Sequence, residues 1–306
     1  MNYPTTLLMI RPVSFGFNPQ TAGSNAFQKA DAEQQQVQDK ALQEFDNFVS
    51  ILRANGVNVI VIDDTAEPHT PDSIFPNNWV SFHSTGDILL YPMQAENRRL
   101  ERREDIITQL EDQFAVRHVI DLSRYEQQHK FLEGTGSMVL DRENQLAYAC
   151  LSPRTDKDVL DDFCRQTGYS PVLFHAFDQH GQAIYHTNVL MCMAERFVVI
   201  CLDSITDPKE RETVVASFYS TQKNIFDISF EQMNQFAGNM LEVFNAEGES
   251  LLVMSGSAYR SLSPQQVHTL QQFSRLVYAD IPTIERNGGG SARCMMAEVR
   301  LVPLGQ

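Results

Sequence analysis

Five polar residues, Asn78, Glu133, His186, Asn239 and Cys294, recur at intervals of 55, 53, 53 and 55 positions along a chain of 306 residues, and each opens an apolar run. A near-constant period of this kind marks an internal structural repeat. A unit that cannot bury its own apolar face stacks on its neighbours. If the stack closes into a ring, symmetry carries all five positions to one end. A thiol, an imidazole and a carboxylate would then converge, the groups a cysteine hydrolase requires.

The third unit shows the pattern most clearly. Residues 184–193 and 196–202 are apolar, β-branched runs parted by Ala194-Glu195. Asp207-Pro208 then supplies a helix cap and a first-turn proline, Val214, Val215 and Phe218 an apolar face, and 224–228 a closing strand. The same order fits the second unit, with strands over 136–140 and 145–151, a helix over 156–167 and a strand over 171–174. In the first unit, strands over 79–83 and 88–91 precede a helix over 98–114 and a strand over 116–120; in the fourth, strands over 240–245 and 250–254 precede a helix over 263–278. The fifth is split between the chain ends: 294–302 and 6–12 are its strands, 25–54 its helix and 57–62 its last strand. The expected fold is α/β, a closed five-bladed propeller of ββαβ units, with helices outside and strands within. Residues 1–306 then form a single domain whose fifth unit joins the termini.

With 24 basic against 39 acidic residues the chain carries −15, which disfavours nucleic acid or an anionic membrane as partner. A small neutral or cationic substrate fits better. No apolar run is long enough to span a bilayer, and Met1-Asn2-Tyr3-Pro4 lacks a basic segment followed by an apolar one, so a cytoplasmic protein is expected. The five cysteines are odd in number and lack CxxC spacing. Free thiols are expected, rather than a disulfide framework or a metal site. Whether the chain forms a homo-oligomer stays open.

Cys294 follows Asn287-Gly288-Gly289-Gly290-Ser291-Ala292-Arg293. Such a loop lets backbone approach a ligand closely, and amides near Gly289 and Gly290 are candidates to hold an oxyanion. Taken alone, the segment reads equally as a turn before a strand with a buried cysteine. His186 lies in Tyr-His-Thr-Asn-Val and Glu133 in Leu-Glu-Gly-Thr-Gly-Ser; Asn78 precedes the only tryptophan, and Asn239 follows Gly238. Each has a bland reading as core histidine, solvated charge or turn residue, and only the repeat unites them. Arg11, Arg260 and Arg293 are candidate clamps for a substrate carboxylate, and each reads equally as a surface salt bridge. Residues 13–25, with Phe15, Phe17 and Asn18, have the composition of a lid.

Asp72-x-x-Phe75-x-x-Asn78, Glu133-Gly-Thr-Gly, His186-x-Asn188, Gly238-Asn239 and the late glycine-rich Cys294 together resemble the guanidino-group modifying superfamily of arginine deiminases, dimethylarginine hydrolases and amidinotransferases. The resemblance spans nearly the whole chain. It implies the pentein fold, with Cys294 as nucleophile, His186 as general acid/base and Glu133 as its carboxylate partner, and requires no metal or organic cofactor. Asp72, Asn78, Asn188, Asn239 and Arg293 are its candidate substrate-binding residues. In relatives that bind guanidinium, aspartates stand where this chain has Asn78 and Asn188. A buried guanidinium needs carboxylate counter-charge, whereas a neutral ureido group offers donors and an acceptor that amides can match. The chain most resembles the citrulline-utilisation hydrolase type, which implies conversion of citrulline to ornithine, carbon dioxide and ammonia through a thiocarbamoyl enzyme. A guanidinium hydrolase, an amidinotransferase and a non-catalytic binding protein on the same fold are the alternatives.

Overall fold

A computed structural model describes residues 4–30 and 34–305. The first three residues, and the 31–33 part of the helix expected over 25–54, lie outside the described residues. Five three-stranded sheets share one wiring, in which a middle strand pairs antiparallel with the strand that opens the sheet and parallel with the strand that closes it. The middle strands are Asp87–Leu90, Leu146–Cys150, Phe197–Ile200, Ser250–Ser255 and Thr6–Arg11. An antiparallel pair needs only a tight turn, whereas a parallel pair needs a long crossover, and the amphipathic helices supply it. Lys157–Thr167 is capped by Asp156, whose side chain accepts from the amides of Asp158 and Val159, and it buries Val159, Leu160 and Phe163. Pro208–Ser220 repeats the device with Asp207 as cap and Val214 and Phe218 inward. The result is a mixed α/β fold built from small sheets.

The fifth sheet takes strands from both ends of the chain. Thr6–Arg11 pairs antiparallel with Ala297–Val299 and parallel with Asn58–Asp63. Opening strands of successive sheets lie against each other: Ala297–Val299 against Val80–Phe82, and Met191–Met193 against both Val139–Asp141 and Leu241–Phe244. Among the described residues no helix is long and apolar enough to cross a membrane, and all five cysteines are free.

Three expectations change. The helix expected over 263–278 ends at Leu270, and Arg275–Ala279 is the closing strand of its sheet, parallel to Ser250–Ser255. Its Leu-Val-Tyr core has the β-branched and aromatic character of a strand. The helix expected over 98–114 is two pieces, Glu96–Arg99 and Glu104–Glu111. Arg98 in the first piece and Glu101 in the link between them are buried as an ion pair 2.9 Å apart. The motif residues do not lie in strands. Short turns precede the opening strands: Asn78 ends Pro76–Asn78, Glu133 and His186 cap Gly134–Ser137 and Thr187–Leu190, and Cys294 lies in Ala292–Met295.

Candidate active site

The thiol of Cys294 is buried at the end of the glycine loop. Gly289 takes a left-handed conformation (φ 66°) to close the helix Pro282–Gly288, and its amide is spent on the carbonyl of Glu285 at 2.9 Å. That amide therefore does not face an oxyanion, which corrects one of the expected donors. The Gly289 carbonyl accepts from the Tyr185 hydroxyl at 3.0 Å and from Asn25 Nδ2 at 3.3 Å. A Cβ on Gly288 or Gly290 would come within 2.8 Å of the Phe75 ring, so the loop needs glycine to lie flat on that ring.

Two amides point at the sulfur: Asn239 Nδ2 at 3.3 Å and Asn188 Nδ2 at 3.5 Å. Amide donors complement a thiolate, which accepts and cannot donate. Asn239 is fixed by donating to the Asn188 carbonyl at 2.9 Å and accepting from the Arg293 amide at 3.0 Å.

His186 and Glu133, one repeat apart, meet at 2.7 Å through Nε2 and Oε2. The other Glu133 oxygen accepts from the Gln94 amide at 3.0 Å. Burial alone would raise the Glu133 pKa, but the charge of Arg154, the His186 hydrogen bond and the charge of Arg98 outweigh it and hold the carboxyl far below its usual range. Burial pushes the His186 imidazole down to about 4, against the pull of Glu133 and with the repulsion of Arg154 and Arg98. At neutral pH the pair is thus carboxylate and neutral imidazole. Nε2 carries the proton donated to Glu133, which leaves the Nδ1 lone pair as the base.

Arg98 and Arg154 escaped the sequence reading, because a buried arginine leaves no local mark that separates it from a surface one. Arg98 grips Glu101 with two nitrogens at 2.9 Å and donates through Nη1 to Asn78 Oδ1 at 2.8 Å. Arginine has only donors, so the Asn78 atom facing it must be its oxygen. Nδ2 is then turned the other way, buried and without a partner. Arg154 stacks over Tyr185 with its guanidinium carbon 4.9 Å from the ring centroid and lies 3.5 Å from Glu133 Oε2.

Cys294, His186, Asn78, Asp72, Arg98, Arg154 and Tyr185 line one cavity of about 20 Å³, room for little more than a water. The lid segment closes it. Asn18 Nδ2 and Thr21 Oγ1 donate to Asp72 Oδ2 at 2.7 and 3.2 Å, and Arg154 holds the Ser24 hydroxyl at 2.6 Å and the Thr21 carbonyl at 3.0 Å. Asp72 Oδ1 stays unpaired. Burial, opposed by Arg98, raises its pKa.

Asn188 touches the sulfur but borders a different cavity. The three candidate carboxylate clamps do not line the thiol cavity. Arg11 pairs with Asp46 and Arg260 with Asp280 at the surface, each at 2.8 Å. Arg293 is turned away from the site: its Nη1 donates to the Met296 carbonyl at 2.7 Å and its Nη2 lies 3.6 Å from Glu298.

A thiol, a carboxylate-bound imidazole and paired amides on small α/β sheets define the class, guanidino-group modifying enzymes. The family model described as N,N dimethylarginine dimethylhydrolase, eukaryotic, matches residues 11–301, and the chain belongs to that family. That description is of a hydrolase. No curated protein sequence matches.

Solved structures share the fold at low identity. The substrate-bound N-terminal domain of ArgZ, an arginine dihydrolase of the ornithine-ammonia cycle in Cyanobacteria, superposes with a TM-score of 0.74 at 16% identity over 96% of this chain and 98% of that one. AgrE with ornithine and NAD+ gives 0.75 at 17% identity, over 97% of this chain and 39% of that one. The dimethylarginine hydrolase DDAH of Pseudomonas aeruginosa, complexed with citrulline, gives 0.65 at 14% identity, over 97% and 100%. The chain spans 40% of the length of whole ArgZ.

Proposed function

We propose that this chain is a cysteine hydrolase of the ureido carbon of a citrulline-like amino acid, releasing ornithine, carbon dioxide and ammonia. The observation that carries the reading is the orientation of Asn78. Its oxygen is occupied by Arg98, so it offers the cavity an N–H donor. A ureido oxygen accepts from that donor, whereas a guanidinium presents only N–H groups to it and would leave both sides unpaired. Asp72 Oδ1 supplies an acceptor for ureido N–H.

In the proposed reaction neutral His186 takes the Cys294 proton on Nδ1, and Asn188 and Asn239 hold the thiolate. Sulfur attacks the ureido carbon. The carbon–nitrogen bond to the ornithine nitrogen then breaks as His186 returns the proton to that nitrogen, leaving an S-carbamoyl cysteine. Water, deprotonated by His186, displaces the thiolate. The carbamate released decomposes to carbon dioxide and ammonia. Glu133 stays ionised and stabilises the imidazolium formed in each half.

The five sheets are read here as the blades of one closed ring, a single catalytic domain of 1–306 whose fifth blade is shared by the termini, working in the cytoplasm. This reading rests on the common wiring and on the sheet that Thr6–Arg11 makes with Ala297–Val299. The lid must open to admit an amino acid.

A second reading, hydrolysis of a guanidinium, is favoured by one feature, the unpaired Asp72 oxygen, and by relatives described as arginine and dimethylarginine hydrolases. Mass spectrometry of the Cys294 peptide after acid quench separates the two. A carbamoyl adduct from citrulline is expected; an amidine adduct from arginine with none from citrulline would overturn the first reading.

A further inference from the structure

A larger cavity, about 370 Å³, does not contain the thiol. Asn188 and Arg293 line it, so its wall touches the thiol through Asn188 and is one peptide bond from it through Arg293. Its charges divide into two groups. On one flank Lys223 lies 3.1 Å from Asp141 and donates to the Glu195 carbonyl at 2.7 Å. Glu242 there accepts from the Ser250 hydroxyl at 2.7 Å and the Glu195 amide at 2.6 Å. Those groups satisfy one another.

The other flank is unbalanced. Arg142, Arg293 and Arg300 converge on the single carboxylate of Glu298, at 3.4, 3.6 and 3.6 Å. A closed guanidinium–carboxylate fork has N–O distances of about 2.7–2.9 Å, so these forks are not closed on Glu298. Burial alone would raise the Glu298 pKa, but the three guanidinium charges draw it down to about 2. Three guanidinium groups thus share one carboxylate at the wall of this cavity, whose other lining carboxylates are Asp141, Glu143, Glu195 and Glu242, while Arg293 Nη1 is taken by the Met296 carbonyl. Arg142 and Arg293 have side chains only 14% and 10% exposed, so bulk water screens them little. Glu143 stands exposed at the rim.

We propose that this cavity is a binding site for a small planar oxyanion of the carboxylate type, held by Arg142 and Arg300 with Arg293 beneath it. The planar guanidinium fork matches such a group with two parallel hydrogen bonds, which a spherical halide cannot use. Bicarbonate and a short organic acid share this chemistry. The site stands independently of which substrate the thiol takes.

Thermal-shift titration of the full chain tests it, with sodium bicarbonate and sodium acetate in separate arms and sodium chloride at matched ionic strength as control. A saturable rise in Tm with bicarbonate or acetate, absent with chloride, is expected. Which arm saturates at lower concentration identifies the source of the anion. Arg142→Gln and Arg300→Gln should each weaken half-saturation by about tenfold. Cys294→Ser should leave it unchanged, which distinguishes this cavity from the thiol site. Arg300 is half-exposed, so its variant should fold even if the Arg142 variant does not. No shift, an equal shift with chloride, or equal half-saturation in the folded variants would overturn the proposal.

Discussion

Asn78 owes its orientation to a neighbour that can only donate, and the proposed preference for a ureido group rests on that one contact. Asn78→Asp turns a donor into a carboxylate beside Arg98, so turnover should shift from citrulline toward arginine, measured as the ratio of kcat/KM values. An unchanged ratio would remove the physical basis of the preference. His186 gives a pH prediction. Its folded pKa of about 4 lies below the ordinary imidazole value near 6.5, so between those values the unfolded chain binds a proton that the folded chain does not. Stability should therefore fall as pH drops from about 6.5 toward 4, and Tm against pH should flatten over that window in His186→Asn. Equal slopes would show that His186 does not fold in its neutral form. The polar residues at Asn78, Glu133, His186, Asn239 and Cys294 were legible in the sequence because the repeat spaced them evenly. Arg98 and Arg154 were not, because their burial depends on folds of chain distant in sequence, around Asn78 and around Ser24.

At the scale of elements, single helical turns aim the site. A Cβ on Gly136 would lie 2.4 Å from Asn78 Nδ2 and 2.9 Å from His186 Nδ1, so the turn 134–137 is the backbone wall between donor and base. Gly136→Ala should lower kcat well beyond its effect on Tm, by about a hundredfold if the two groups are displaced by an ångström. Gly134 has φ 48° and a Cβ there would meet the Asn77 carbonyl at 2.3 Å. Gly134→Ala should cost about 2 kcal/mol or more, read by urea unfolding. These turns are indistinguishable from strands in the sequence because Gly-Thr-Gly-Ser and Thr-Asn-Val-Leu run straight into apolar residues and carry no breaker between turn and strand. The closing strand Arg275–Ala279 was hidden by the opposite effect: capping box and apolar spacing start a helix at Ser263, and nothing before Arg275 marks its end. The lid is the third element. Its hydrogen bonds to Asp72, Arg154 and Gly289 seal a cavity too small for an amino acid, so on the proposed reaction the segment around Asn18–Asn25 releases before substrate enters. In Cys294→Ser, citrulline should protect this segment from limited proteolysis.

For the whole molecule, the strand Thr6–Arg11 joins the two ends of the chain, and it is paired on both sides. In the proposed ring this strand is the closure, and no point on the ring is a preferred break. A circular permutant with linked termini and new ends in the exposed turn at 246–248 should keep activity, while removal of residues 297–306 should abolish cooperative unfolding. The wiring was readable from sequence because four of the five units show strand, turn, strand, helix, strand, the fourth along the chain lacks only its closing strand, and the orphaned pieces at the two ends complete one another. The cavity beside Glu298 was not, since it draws residues from several sheets. The central claim is that the thiol attacks a ureido carbon. It is tested most directly by incubating the purified chain in parallel with citrulline, arginine and methylated arginines, with Cys294→Ala as control, and measuring ornithine, citrulline, ammonia and methylamines. Citrulline should yield ornithine and ammonia, at a rate reduced at least about a thousandfold by the substitution. Robust turnover of arginine or its methylated forms with citrulline inert would contradict it.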